Sequence, residues 1–574
     1  MRLRLRGRSK KLHCGLGLLS CAIVSLGFAD SAVAQALNYG PPVQLPVPPA
    51  AVVPQQGAAG APVAAPAIPG GAAAPGGAVA PGAIPEWIFV PSLEVSETYN
   101  DNVNLAPRGQ QLSDFITAIS PGFTLLGQTP RLMVNLTYNP QELLFAQGTA
   151  PATLQQRLIG TGHAEILREL LFFDANAAID QEFVRNNGPI GPTTLTTNGN
   201  LQTVQTAGGS PYLLEHFGSF ANSETRYRFS QVTVSGNTIA PAQIQEASQK
   251  ISSGDYFGPA TWTLFGDYTV IDRLAGTADP LGGTSSKDEL VRADGSYPIY
   301  QALAVIGGIG FERVIDPTLI VPQNGLIWNA GLQYQPNPNI FGRFTYGRRF
   351  EQNDYELLIN YFPSPALRLH ADYSLTAQTS SALLAGNVGQ LQCLLAQGAG
   401  AGAAGGGAGG AAGAGGALPA PGCAAVPFVL VNGPPGTSTA FGITSGSFLL
   451  KSFTLAADLT RERNTYNLTL YDTQQSGDNA AAFAAEKIIG GTLGFGRDLT
   501  PLVKFTAGAA YYHATFQDGS GRVDDSYTLS LGLNYNLSPT TLARATFSRF
   551  DTRSNFAADS LVNDLVMVSL RKQF

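Results

Sequence analysis

In the stretch LRLHADYSLTAQT, Leu367–Thr379, a histidine, an aspartate and a serine stand at alternate positions: His370, Asp372 and Ser374. Those residue types can build a nucleophilic hydrolase, in which serine attacks, histidine takes its proton and the carboxylate orients the imidazole. The spacing argues against it. On an extended strand, residues two apart lie about 7 Å from each other at ~3.3 Å per residue, beyond direct hydrogen bonding. The other bases are few: His163, His216 and His513, besides His13 in the N-terminal leader. No Cys/His cluster has metal-ligand spacing, and no glycine-rich phosphate loop lies between a strand and a helix. The glycine runs near residue 406 are low complexity. No enzyme, cofactor or metal site is expected.

A larger set of chemistry-bearing residues is simply charged. Arg226, Arg228, Arg343, Arg349, Arg368, Lys504 and Arg544 alternate with apolar neighbours, and so do Asp174, Asp180, Asp267, Asp372 and Asp458. If the apolar neighbours touch lipid, these charges line a water-filled lumen. Facing basic and acidic groups then set a transverse field that sorts solutes by charge and size, or merely neutralise one another across water. Tyr512 and Phe265 share the same phase, and could stack sugars or fill space.

The elements that must position these residues are strands. YTLSLGLNYNLSP, Tyr527–Pro539, alternates large apolar with small polar residues. The same period recurs in 132–138, 173–180, 261–269, 326–335, 367–376 and 452–459. Such a strand fits a soluble sandwich or a membrane barrel, and the connections decide between them. Short turns, such as those at 127–130, 257–259, 337–339, 363–365 and 537–539, alternate with longer polar segments at 186–210, 274–287, 315–324, 379–447 and 552–560. Short turns on one rim and long loops on the other are the layout of an outer-membrane barrel. The expected fold is therefore all-β: a single antiparallel up-and-down transmembrane barrel of about 22 strands, with 18 as the lower bound, spanning 87–574. Tyr99, Tyr138, Trp262, Tyr268, Trp328, Tyr334, Tyr373, Tyr527 and Tyr535 are candidates for its interfacial girdles.

Composition agrees. Charged residues make up 13% of the chain, against roughly 25% in an ordinary soluble domain. The N-terminus carries Arg2, Arg4, Arg6, Arg8, Lys10 and Lys11, then an apolar run, then Ala32, Val33 and Ala34. This is a secretory signal peptide over 1–34, cut near Ala34. It holds 6 of the 34 basic and 1 of the 40 acidic residues, leaving 28 and 39 and a formal net charge of −11. Nucleic acid is excluded as a partner. Residues 35–86 are rich in Pro, Ala and Gly and form a disordered periplasmic tether with no core to bury. Plugged transporter barrels carry a folded plug ahead of the barrel, which such a segment cannot supply. Within the long extracellular loop 379–447, Cys393 and Cys423 bracket a Gly/Ala-rich run and are expected to pair in an oxidising compartment. That loop could act as a lid or lie on the surface.

Glu97–Val103 reads ETYNDNV and is followed by DFITAISPG at Asp114–Gly122. With the strand at 131–138, this resembles the outer-membrane β-barrel, porin-like family associated with exosortase (PEP-CTERM) and exopolysaccharide gene clusters. The resemblance is clearest over 93–185. It implies a Gram-negative outer-membrane location and a role in polysaccharide export or surface assembly, with polysaccharide export components as partners and no catalytic residues. The terminal Phe574 resembles the signal read by the outer-membrane assembly machinery, although Lys572 stands where such signals have an apolar residue. The expected function is an outer-membrane channel for exopolysaccharide or passive solute diffusion. The alternative is a structural or adhesive barrel with no open pore. Outer-membrane lipid is the remaining expected partner.

Overall fold

The computed structural model describes residues 86–574, except 186–187, 318–322, 386–442, 444, 477–484 and 518–519. The expected signal peptide, the tether up to residue 85 and the Cys393–Cys423 pair lie outside the described residues.

Among the described residues, 24 strand segments form one antiparallel sheet in which successive segments pair, except where two staves are broken. Two staves of the wall are broken. Leu132–Tyr138 and Gln141–Phe145 both pair with Asp114–Gln128, and the gap between them holds Pro140, which has no N–H to give the ladder. Facing that break, Thr153–Gln155 and Leu158–Leu167 form one further stave. The 24 segments thus make 22 staves, as the hairpin spacing predicts. The sheet closes on itself: Trp87–Asn100 pairs with Leu561–Gln573, from Ser92 opposite Gln573 to Asn100 opposite Leu565. Closure leaves no edge of unpaired backbone groups, the condition for strands to exist in lipid.

Strand Val523–Ser538 shows which face is which. Tyr527, Leu529, Leu531, Leu533 and Tyr535 are 39–44% exposed, whereas Asp524 and Ser526, on the opposite face, are buried. A soluble sandwich would bury the first set. The pattern repeats around the wall at Leu326, Trp328, Leu332 and Tyr334, and at Val566, Val568 and Leu570. An apolar exterior and a polar interior define a barrel solvated by acyl chains. No helix among the described residues is long and apolar enough to cross a membrane.

Aromatic residues mark both ends of the apolar band. Tyr99 and Phe115, Trp328 and Tyr346, and Tyr511 and Tyr527 pack in pairs near the long-loop rim, with ring centroids 5.0, 5.9 and 5.1 Å apart. Phe220, Phe257 and Trp262 cluster near the short-turn rim. These rings suit the two interfaces, where a flat amphipathic body is favoured.

Two details of the loops depart from the sequence reading. The segment 186–210 is not all loop: Leu201–Phe217 is a strand, paired with Leu171–Phe183 from Leu201 opposite Phe183. Gly208 and Gly209 obscure its period, yet both lie in the ladder opposite Asn176 and Ala175. One connection on the long-loop rim is also tight. Phe350 and Glu351 both have positive φ, 51° and 57°, the conformation of a two-residue type I′ hairpin.

Candidate functional site

The inner face is where charge is concentrated. Arg226 reaches Asp174 at 2.9 Å and Glu224 at 2.7 Å, with its guanidinium 3.8 Å from the centre of the Tyr212 ring. Arg228 pairs with Glu246 at 2.7 Å, Arg343 with Glu356 at 3.6 Å, and Arg349 with both oxygens of Glu312 at 2.8 and 2.9 Å. Arg157 meets Asp180 at 3.0 Å. Arg368 stands opposite Asp458, which accepts a bond from Asn467 at 2.5 Å. Lys504 stands opposite Asp498 and Asn534, and Arg544 donates to Asn534 at 2.8 Å. All ten candidate lining residues, Arg226, Arg228, Asp267, Arg343, Arg349, Arg368, Asp372, Asp458, Lys504 and Arg544, share the phase opposite the lipid-facing side chains.

Between Arg228 and Arg349 the wall carries four carboxylates on neighbouring strands: Glu246, Asp267, Asp288 and Glu312. Thr269 links the first three, lying opposite both Glu246 and Asp288 in the ladder and donating to Asp267 at 3.0 Å. Asp288 is fully buried with neither carboxylate oxygen hydrogen-bonded among the described residues, and one oxygen of Asp267 is in the same position. Asp267 was legible in the sequence. Glu246, Asp288 and Glu312 were not, because only the sheet register brings them beside it.

The histidine reading needs one correction. His370 and Asp372 do bond, at 3.1 Å, because the two side chains lean toward each other across the two-residue gap. The other ring nitrogen lies 2.7 Å from Asn360, so both are engaged before Ser374 is considered. His163 and His513 likewise bond carboxylates, Asp174 at 2.8 Å and Asp525 at 3.0 Å.

At the long-loop rim the lumen is filled from above. Loop residues Leu105 and Ile190 pack against inward-facing Tyr471, Ile488, Tyr512, Phe516 and Phe550 in one buried cluster. Tyr512 therefore fills space in this structure. Val103 and Leu195 join Ile116, Ala118 and Leu143 in another. Backbone and side-chain bonds knit the two loops together: Thr197 N–H donates to the Val103 carbonyl at 2.8 Å, and Asn198 to Asn104 O at 3.1 Å. The two ends of the 379–447 insertion also turn inward. Ala382, Leu384, Ala385 and Ile443 are buried against Val204, Val232, Val234, Ile244 and Ile271. Arg273 anchors the returning end, donating to the Ser445 carbonyl and to Asp316, both at 2.6 Å, with 1% and 0% of the two charged side chains exposed. The Ser447 hydroxyl also donates to Asp316, and the Ser445 hydroxyl to Asp279. Loop residue Arg522 closes another corner, bonded to Asp524 and paired with Asp559 at 3.2 Å. Burial opposes the Arg522 charge, but these carboxylates outweigh it and raise its pKa above the ordinary value.

The residues of the ETYNDNV stretch have a definite task. Asn563, on the last strand, donates to the Asn100 side chain at 2.6 Å; Asp564 N–H donates to Asp101 at 2.6 Å; Asn102 donates to the Val562 carbonyl at 2.8 Å. They clasp the first strand to the last where the barrel closes. At the other rim Phe574 donates its N–H to the Pro91 carbonyl at 2.9 Å, and Lys572 reaches Thr540 at 2.8 Å.

Closed strands, an apolar exterior and a charged interior together define a transmembrane β-barrel. Residues 456–574 match the family described as "Putative beta-barrel porin 2". The resemblance to an outer-membrane β-barrel family is borne out over that region, and the match carries no association with exosortase or exopolysaccharide. No curated protein sequence matches the chain. Among solved structures, the chain is similar to a ferric enterobactin receptor, PfeA, from Pseudomonas aeruginosa: 11% identity, 85% of this chain and 80% of that one, TM-score 0.45. The siderophore receptor PirA from Acinetobacter baumannii gives 9% identity, 85% and 80% coverage and a TM-score of 0.45. The FrpB iron transporter from Neisseria meningitidis gives 8% identity, 84% and 81% coverage and a TM-score of 0.47. A likeness of that degree carries no argument about function.

Proposed function

We propose that the protein is an outer-membrane channel, passing exopolysaccharide or small hydrophilic solutes, whose mouth is gated by its own inward-folded loops. The observation that carries this reading is the division of the inner face. Its short-turn part presents charged side chains such as Arg368, Asp458 and Lys504, which need water. Its long-loop part is covered by loops held through discrete polar anchors, of which Arg273–Asp316 is the most buried. A barrel that was only a scaffold would have no use for a charged, hydrated half. In this reading Arg226, Arg228, Arg343, Arg349 and Arg544, with Asp267 and Asp372, set the field along the path. Phe574 serves insertion by the assembly machinery, and a Cys393–Cys423 bond restrains the middle of the long loop.

The second reading, a structural or adhesive barrel, is favoured by the apolar clusters that fill the mouth. Planar-bilayer recordings separate the two. A gated channel gives rare openings in the intact protein and frequent ones when loop anchors are cut. A barrel that stays non-conducting in every correctly folded loop-anchor variant is a scaffold. Liposome swelling with sugars of increasing length then ranks small solutes against polysaccharide.

A further inference from the structure

Many outward positions carry Leu, Tyr, Phe and Val, and small residues stand between them at several places, such as Gly295, Gly307 and Ala330. One such place forms a trough: between Leu470 and Tyr511 the outward residue is Gly491, and between Leu493 and Leu529 it is Ala509. These small residues floor a trough of about 660 Å³ on the lipid-facing surface. Its walls are Leu468, Leu470, Leu493, Tyr511, Tyr527 and Leu529, and its upper corner is formed by Arg549, Asp551 and Arg553.

Charge on the outward phase of a membrane strand is disfavoured in proportion to depth, so two guanidiniums there call for a reason. Arg549 and Arg553 lie on the same face as Leu529 and Tyr527, and Arg108 reaches over from the first loop. Among the described residues each forms a single hydrogen bond, Arg549 to Asp564 at 2.9 Å, Arg553 to Asp551 at 3.2 Å and Arg108 to Asp551 at 3.1 Å. A guanidinium has five donors, and the three side chains are 48%, 66% and 60% exposed. Most of their donors are thus left over at the head of the trough, beside the carboxylates of Asp551, Asp564 and, opposite Arg553 in the ladder, Asp525. Arg553 is further held over the Tyr527 ring, 5.3 Å from its centre.

We infer that this trough binds one phosphorylated, multiply acylated lipid of the outer leaflet. An acyl chain lies over Gly491 and Ala509, and the headgroup phosphate takes the free donors of Arg549 and Arg553, with Arg108 above. Guanidinium and phosphate match in planar, bidentate geometry, and a headgroup at the rim keeps these cations out of hydrocarbon. A lipid without phosphate could fill the trough but would leave the guanidiniums unmatched.

The test uses the full-length protein purified in detergent, stripped of lipid and titrated with bisphosphorylated lipid A, with the fully dephosphorylated lipid and with phosphatidylglycerol, read by native mass spectrometry. The intact protein is expected to retain one bisphosphorylated lipid per barrel in preference to either control. Ala509→Phe, which fills the trough floor, abolishes that retention. Arg549→Gln with Arg553→Gln weakens it by about tenfold or more, to the level of the dephosphorylated lipid. Heat-modifiable gel mobility identifies variants that still fold, and only those are compared. Equal retention by the intact protein and a folded Ala509→Phe variant overturns the inference. So does indifference to phosphate, or an oligomer whose interface protects position 509 from labelling in a folded Ala509→Cys variant.

Discussion

Replacing Arg273 with methionine tests the gate most sharply. The side chain is almost entirely buried, bonded at 2.6 Å to both Asp316 and the Ser445 carbonyl, and lies 172 residues before the segment it holds. Methionine keeps much of the volume and removes the charge. Asp316 is left buried with the Ser447 hydroxyl as one remaining donor. Breaking one partner of a buried pair costs about 3–5 kcal/mol. If the loop-in state bears that cost alone, its equilibrium with the open state shifts by roughly two to three and a half orders of magnitude. A mouth open for one part in ten thousand would then be open for about one part in a hundred or more. Removing both charges, Arg273→Met with Asp316→Leu, should restore most of the closed population, because no charge is left stranded. Open probability in planar bilayers and hydrogen exchange over residues 443–449 report the two sides of that equilibrium. If Arg273→Met folds but leaves both unchanged, the buried pair does not hold the mouth, and the gating argument fails.

Other outcomes follow from the same geometry. Leu531→Lys places a cation mid-strand on the outward face and should cost about 2–4 kcal/mol in a lipid-based unfolding titration, whereas Ser530→Lys, facing inward, should cost far less. Asn563→Ala should lower stability by about 1–3 kcal/mol, because it strips buried partners from the barrel clasp; a urea midpoint shift without a change in slope would show it. Arg349→Met leaves Glu312 unpaired on the inner wall and should shift the reversal potential in a salt gradient toward cations.

The strands were legible because their signal is local: Tyr527 to Tyr535 repeats every two residues whichever solvent lies on either side. Stave number and closure followed from turn spacing, and even Pro140 left the count intact. The mouth was not legible. Leu105, Ile190 and Leu384 belong to segments with turn-like composition, and nothing near them announces that they fold against Tyr512 or Val232. Arg273 and Asp316 are 43 residues apart on separate hairpins. Likewise, Asp288 reads as one more polar strand residue until the register sets it beside Thr269. The trough went unseen because Gly491 and Ala509 look like weak strand formers, and their smallness gains meaning only beside Leu470 and Tyr511.

The central claim is the solvent assignment of the strand faces. Single cysteines placed at each position from 527 to 535, spin-labelled and reconstituted in lipid, can be probed with oxygen, which partitions into acyl chains, and with a polar relaxant confined to water. Positions 527, 529, 531, 533 and 535 should favour oxygen, with the preference strongest at 531, and the even positions should favour the polar relaxant or be shielded from both. If the odd positions prove inaccessible to oxygen, their side chains pack into a protein core, and the membrane barrel described here is wrong.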